Sequence, residues 1–135
     1  QTLNALFRHP DVYQVGEAVS SVPDQRFYDS IYEERYVGLP REHPEHYQVS
    51  SPINFAAGLR GKLLIVHGSG DDNVHYKGAE ALSNRLIALG KSFDFMVYPN
   101  RSHCDCEGPG TTLHLYTLLT RYLLANLPAG PRPRP

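Results

Sequence analysis

Two polar segments contain residue types that could share a proton-transfer reaction. Asp71 follows the apolar run 62–67, and His103 follows the apolar run 93–98. If both runs are parallel strands, their carboxyl ends meet at one edge of a sheet, where active residues gather. An acid in that position can orient an imidazole and stabilise its protonated form, and the imidazole can then take a proton from a nucleophile. The candidate catalytic residues are therefore His103 and one of the two adjacent acids, Asp71 or Asp72.

The order of acid and then histidine matches the last two members of the Ser–Asp–His order in α/β-hydrolases. The nucleophile motif G-x-S-x-G of that class occurs nowhere in the sequence. Ser69 lies between two glycines, but the outer glycines of the motif are missing, so we interpret it as a turn residue. Many α/β folds also place an aspartate after a strand to cap a helix, and this alternative reading of Asp71 stays open.

The first residues predict a helix that has no beginning. Leu3, Leu6 and Phe7 have the spacing of one helical face, and His9-Pro10 should end the helix. No capping side chain precedes them with room for a first turn. We therefore expect the chain to begin inside a helix, as a piece of a larger domain; the alternative is a native chain whose N-terminal helix is frayed.

The rest of the chain alternates strands and helices, which predicts a parallel sheet. We expect one domain over residues 1–127, with an α/β architecture that is part of an α/β-hydrolase fold, followed by a Pro-rich mobile tail over 128–135. The predicted strands are 15–22, 62–67 and 93–98. The predicted helices are 24–37, 76–89 and 111–127, with a helical turn near 45–48.

The composition is that of a folded domain, with 41% hydrophobic and 20% charged residues. Thirteen Lys and Arg residues stand against fourteen Asp and Glu residues, a net charge of −1 that argues against nucleic-acid binding. No apolar run exceeds four residues, whereas a membrane-spanning helix needs roughly 20. The first residues carry no basic region followed by an apolar stretch, so no signal peptide is predicted in this sequence and the compartment is left open.

Three segments give the sequence a specific resemblance over most of residues 1–127. They are FYDSIYEERY at 27–36, VHGSGDDNVH at 66–75 and YPNRSH at 98–103. At these positions the chain resembles the catalytic domain of the prolyl oligopeptidase family of serine peptidases, in its dipeptidyl peptidase IV branch. The resemblance implies that Asp71 rather than Asp72 is the acid. It also implies a nucleophilic serine a few residues upstream of Gln1 and an upstream β-propeller, both outside this chain.

The same resemblance assigns substrate-binding roles. It implies that Tyr28 and Tyr32 line a small pocket for proline, with Val22 and Val74 as its aliphatic wall. Asn73 would bind the carbonyl group of the residue before that proline. A flat pyrrolidine ring suits aromatic and valine walls, and an amide can fix one carbonyl. Without the motif at 27–36, the two tyrosines would be interpreted as core residues that lie one helical turn apart.

Several titratable side chains have simpler interpretations. His67 and His75 flank the acid loop and are expected to be structural, and Glu33 is expected on a solvated or ion-paired helix face. A rival hypothesis makes His103, Cys104 and Cys106 zinc ligands, but C-x-C is a poor spacing for a structural zinc site. We therefore predict no metal and no cofactor. A disulfide between cysteines two residues apart would be strained, which argues against one here.

Two hypotheses of function remain. The first is a serine exopeptidase that removes Xaa-Pro or Xaa-Ala dipeptides from peptide substrates, with the isolated chain inactive because its serine is missing. The second is a non-catalytic binding module of the same fold. The predicted partners are a peptide substrate and the upstream segments of the longer protein, and a homodimer is compatible with the sequence.

Overall fold

The computed structural model describes residues 1–127; the predicted tail 128–135 lies outside the described residues. In chain order the elements are α1 (Thr2–Arg8), β1 (Val15–Val19), α2 (Ser30–Tyr36), α3 (Pro44–Ser50), β2 (Lys62–Gly68), α4 (Lys77–Ala88), β3 (Asp94–Tyr98) and α5 (Thr111–Asn126), with 3-10 segments at Gln25–Phe27 and Pro52–Gly58. Among the described residues, no helix is long and apolar enough to cross a bilayer.

The three strands form one parallel sheet in the order β1-β2-β3. Val19 pairs with Val66 across β1 and β2, and Gly68 pairs with Tyr98 across β2 and β3. The carboxyl ends of β2 and β3 therefore lie side by side, and α4 joins them along the chain. This confirms the prediction of adjacent parallel strands and of an α/β fold, and it brings together the loops that begin at residues 69 and 99.

Strand β2 is the centre of the core because helices cover both of its faces. Leu63 and Ile65 point to one side, where they pack with residues of α1 and α4. Leu64 and Val66 point to the other side, where they pack with Tyr98 and with Leu115 of α5. A strand that is apolar on both faces is typical of a parallel sheet between two layers of helices. This packing fixes β2 and with it the start of the acid loop.

The predicted helix 24–37 is wrong as a single element, because it consists of two short pieces. Asp24 caps the 3-10 segment by accepting a hydrogen bond from the Arg26 N–H at 3.0 Å. Tyr28 is then extended, with φ −99° and ψ 177°. A second cap follows, since the Asp29 carboxylate accepts from the Tyr32 N–H at 2.8 Å and starts α2. Two capping aspartates five residues apart interrupt the helix between them.

The orientation of α2 also differs from the prediction. A continuous helix 24–37 would place Phe27, Ile31 and Tyr32 on one apolar face, but Ile31 is 86% exposed and Tyr32 is half-exposed. Glu33, expected on a solvated face, is instead 3% exposed. Burial, together with the negative charge of Asp29, raises the pKa of the Glu33 carboxyl. Because the two aspartate caps separate α2 from the preceding segment, this short helix presents a different face from the one that a continuous helix would present.

Candidate active site

The acid and the histidine meet at the carboxyl ends of β2 and β3. His103 Nδ1 lies 3.0 Å from Asp71 Oδ2, which is a hydrogen-bond distance. The Asp71 side chain is buried, whereas 42% of the His103 side chain is exposed. Asp72 is exposed and does not make this contact. The structure thus shows the predicted contact and selects Asp71, while the catalytic role of the pair stays a prediction.

The second oxygen of Asp71 organises its own loop. Asp71 Oδ1 accepts hydrogen bonds from the Asn73 N–H at 3.0 Å and from the Val74 N–H at 2.8 Å. An aspartate that accepts from backbone groups two and three residues ahead folds the chain into a tight turn. One carboxylate therefore has two tasks, since Oδ1 holds the turn 71–74 and Oδ2 faces the imidazole.

His67 is a second histidine on the same carboxylate. Its Nε2 lies 2.8 Å from the Val74 carbonyl oxygen and 3.3 Å from Asp71 Oδ2, and its side chain is completely buried. A carbonyl oxygen can only accept, so Nε2 carries a hydrogen that it donates to Val74. His67 therefore holds the Val74 carbonyl group and so supports the fold of the acid loop, and its ring lies directly against the carboxylate of the catalytic candidate Asp71.

The loop that carries His103 is braced at both ends. The Ser102 N–H donates to Glu107 Oε2 at 2.9 Å, and the Ser102 hydroxyl donates to Glu107 Oε1. These hydrogen bonds lower the pKa of the Glu107 carboxyl. At the other end, a side chain at Gly68 would lie 2.3 Å from the Arg101 carbonyl oxygen. Only a glycine lets the end of β2 approach the histidine loop this closely.

Asp105 is a functional candidate that the sequence analysis missed. It is completely buried, and its Oδ2 accepts a hydrogen bond from the Ser20 hydroxyl at 2.6 Å. Burial raises the pKa of the Asp105 carboxyl. The contact joins the histidine loop to the residue that follows β1. No motif marks Asp105 or Ser20, and the predicted strand 15–22 wrongly continued through Ser20, where φ is +42°.

The two cysteines form a disulfide, which contradicts the expectation that they would not. Cys104 and Cys106 have Cα atoms 5.1 Å apart, within the usual range for a disulfide. Asp105 between them has a φ of +48°, a left-handed conformation that folds the chain back and brings the two side chains together. Because each sulfur is bonded to the other, the rival assignment of Cys104 and Cys106 as zinc ligands is wrong for this structure.

Three of the predicted substrate-binding residues line one cleft. Tyr28, Tyr32 and Val22 border a cleft of about 550 Å³. The rings of the two tyrosines pack edge to face with their centroids 5.7 Å apart. Both tyrosines are at least partly exposed, so they are not the core residues of the simpler interpretation. The lining also includes the buried Glu33.

The other two predicted binding residues lie in the acid loop. Val74 is 6% exposed and is not part of the tyrosine cleft, so the structure does not bring it together with Val22 as expected. Asn73 is exposed. Tyr28 links the two regions, because it borders both the tyrosine cleft and a second cleft that reaches Asp71. The tyrosine cleft and the cleft that reaches Asp71 are therefore neighbours that share Tyr28 as a wall.

A parallel sheet between helices, with an acid and a histidine after adjacent strands, matches the part of the α/β-hydrolase fold that carries the last two members of the triad. A profile of the prolyl oligopeptidase family matches residues 1–129. The chain belongs to the prolyl oligopeptidase family.

The similar relatives are dipeptidyl peptidases. The chain is 46% identical to "Probable dipeptidyl-aminopeptidase B" of Coccidioides posadasii strain C735 over 93 residues, which are 67% of this chain and 10% of that protein. It is 33% identical to "Dipeptidyl peptidase 4" of Felis catus over 115 residues, 83% of this chain and 15% of that protein. Dipeptidyl peptidase 4 of Porphyromonas gingivalis superposes with a TM-score of 0.90 at 40% identity, over 93% of this chain and 18% of that structure. The chain thus spans less than a fifth of each of these relatives.

Proposed function

We propose that this chain supplies the acid, the base and part of the substrate pocket of a serine dipeptidyl peptidase whose nucleophilic serine lies upstream. The observation that carries the proposal is the 3.0 Å contact between His103 Nδ1 and the buried Asp71 carboxylate. An imidazole held in this way on one edge and partly exposed on the other can act as a general base. The names of the relatives agree with this reaction.

The contact determines which nitrogen reacts. Ionised Asp71 can only accept a hydrogen bond, so His103 Nδ1 carries the hydrogen and Nε2 keeps its lone pair. Nε2 takes the proton of the serine hydroxyl as the oxygen attacks the peptide carbonyl, and later gives that proton to the leaving amine. Asp71 stabilises the imidazolium that forms between these two steps. The Val74 and Asn73 N–H groups keep the carboxylate in place throughout.

The tyrosine cleft accounts for the proposed preference for proline before the cleaved bond. Tyr28 and Tyr32 offer aromatic walls and Val22 an aliphatic one. Proline fills such a slot and loses little rotamer entropy on binding. Asn73 is exposed beside the acid, where its amide can donate to the carbonyl of the preceding residue. The groups that would bind the free amino terminus of a substrate belong to segments outside this chain.

The test compares the full-length protein with a variant of the base. His103→Gln should lower kcat on an Xaa-Pro chromogenic substrate by several orders of magnitude, because the proton acceptor is lost. His9→Gln, an exposed histidine in the turn after α1, is the matched control and should keep full activity. The isolated chain should be inactive with or without Ser69→Ala.

Two results would contradict the proposal. Turnover by the isolated chain that Ser69→Ala abolishes would place the nucleophile in the acid loop. A full-length protein that binds peptides but turns over no Xaa-Pro substrate would favour the non-catalytic binding module.

A further inference from the structure

A second group of titratable side chains lies around α3, outside the acid–base pair. His43 Nδ1 and His46 Nε2 each lie 3.7 Å from the same carboxylate oxygen, Glu45 Oε1. These three atoms all lie within 4.8 Å of one another. We propose that His43, Glu45 and His46 form a binding site for one divalent transition metal ion of the zinc type.

The donor set suits such an ion. Two imidazole nitrogens and one carboxylate oxygen are ligands that Zn²⁺ commonly takes, with a fourth position left for water. Bonds of about 2.0–2.1 Å in a tetrahedral site put ligand atoms about 3.3–3.4 Å apart. The two separations of 3.7 Å from Glu45 Oε1 are a few tenths of an ångström longer, and the two histidine donor atoms, which lie within 4.8 Å of each other, must also move closer together. All three side chains are partly exposed, so they can close this gap without disturbing the core.

A backbone carbonyl group that follows α2 orients the His46 ring for metal binding. His46 Nδ1 lies 2.8 Å from the Val37 carbonyl oxygen. Because a carbonyl oxygen only accepts, Nδ1 carries the hydrogen and Nε2 is left with a free lone pair. That lone pair is on the edge of the ring that faces Glu45. A backbone carbonyl that orients a histidine in this way is a usual outer partner of a metal ligand.

The neighbouring residue Gly38 positions the other histidine. Gly38 has a φ of +91°, and a Cβ at this position would lie 2.6 Å from His43 Cδ2, so the ring packs directly on the glycine. The Gly38 carbonyl oxygen in turn accepts a hydrogen bond from the Tyr47 hydroxyl at 2.8 Å. The two imidazole rings stack with centroids 4.7 Å apart and planes 10° apart. Because the lone pair of an imidazole lies in the plane of its ring, the partly exposed His43 ring must turn out of this stack to share an ion with His46, whose ring stays on Val37.

An ion at this site would join the end of α2 to the start of α3. The ligands belong to α3 and the residue before it, but their rings rest on Val37 and Gly38, which follow α2. Pulling the three ligands together would fix this connection and reduce the motion of residues 37–46. The proposed role is structural, a brace for the segment that carries Tyr32 at its other end.

Isothermal titration of the chelator-treated full-length protein with Zn²⁺ tests the site. The wild-type protein should bind one more Zn²⁺ ion than the double variant His43→Gln/His46→Gln, or bind it at least tenfold more tightly. Glu45→Gln alone should weaken binding by about tenfold. His75→Gln, another exposed histidine, is the control and should bind as the wild type does.

Hydrogen exchange gives a second measurement that does not depend on peptidase activity. Zn²⁺ should slow the exchange of the amides of residues 37–46 in the wild type and not in the double variant. Unchanged exchange outside this segment would show that the variant is folded. Equal stoichiometry and affinity in the wild type and the folded double variant would overturn the site. This inference and the proposed function fail separately. Peptidase activity in a protein that binds no additional Zn²⁺ would overturn only the metal site, and Zn²⁺ binding at the site in an inactive protein would overturn only the proposed function.

Discussion

Replacing Asp71 in two different ways should separate its two tasks. In Asp71→Ala both oxygens are lost, so the Val74 N–H, 2.8 Å from Oδ1, has no acceptor. In Asp71→Asn the side-chain carbonyl can still accept from Val74 and Asn73, but an amide group now faces His103 Nδ1. We therefore expect the alanine variant to lose stability and catalysis, and the asparagine variant to lose mainly catalysis.

The expected magnitudes follow from which groups are left unpaired. Val74 is buried, and a buried donor without a partner costs about 1–3 kcal/mol. Asn73 is exposed, so its N–H can form a hydrogen bond with water instead, and its lost contact adds little to the loss of stability. Asp71→Ala should thus lower the free energy of unfolding by about 2 kcal/mol, and Asp71→Asn by less. The Asn amide can only donate to Nδ1, which moves the hydrogen to Nε2 and should lower kcat by about 10⁴.

Urea unfolding of the chain measures the first effect, and kcat on an Xaa-Pro substrate measures the second in the full-length protein. Asp72→Asn is the matched control, because Asp72 is exposed and adjacent. Equal losses of stability in the alanine and asparagine variants would refute the role given to Oδ1. An asparagine variant with kcat within tenfold of the wild type would refute the role given to Oδ2.

Two further predictions concern the cleft and the buried carboxyl. Tyr28→Ala and Tyr32→Ala should each lower kcat/KM for Xaa-Pro substrates by about tenfold or more and narrow the preference for Xaa-Pro over Xaa-Ala substrates, because the cleft loses a wall. Tyr122→Ala on α5 should leave the ratio of the two kcat/KM values unchanged, and an unchanged ratio in both cleft variants would show that the tyrosines do not determine the preference for proline. Burial raises the pKa of Asp105, so the unfolded chain releases this proton first, from about pH 4, and the folded state loses stability as the pH rises towards the folded pKa. The melting temperature of the wild type minus that of Asp105→Asn should therefore become smaller as the pH rises from 4 to 7. A difference that does not depend on pH would contradict this prediction.

The strands and the longer helices could be predicted because their sequence patterns are continuous. The run 62–67 is apolar on both faces, and it became the central strand Lys62–Gly68. The segment 24–37 could not be predicted as two pieces from periodicity alone. Its interruption depends on Asp29, whose side chain starts a new helix only because Tyr28 before it is extended. The exposure of Ile31 then depends on packing that no local pattern records.

The acid–base contact could be predicted because it follows from chain order in a parallel sheet. Asp71 and His103 come after adjacent strands, and parallel strands place both on one edge. The contact between Ser20 and Asp105 could not be found in this way, since it joins residues 85 positions apart with no motif around either. The disulfide was excluded on average geometry, whereas the left-handed turn at Asp105 makes it possible.

The shared use of the Asp71 carboxylate affects how the sequences of distant relatives can be interpreted. Since Oδ1 keeps the turn 71–74 folded, selection for a stable domain alone would retain an aspartate or an asparagine at position 71 after catalysis has been abandoned. His103 has no comparable structural role, because within the described residues its side-chain hydrogen bond is the one to Asp71. In a lineage that has become a pseudoenzyme, His103 should therefore be replaced first, whereas a side chain with an acceptor oxygen should persist at position 71. An intact aspartate at this position then indicates only that the conformation of the loop is retained, whereas an intact histidine is the better indicator of retained catalysis.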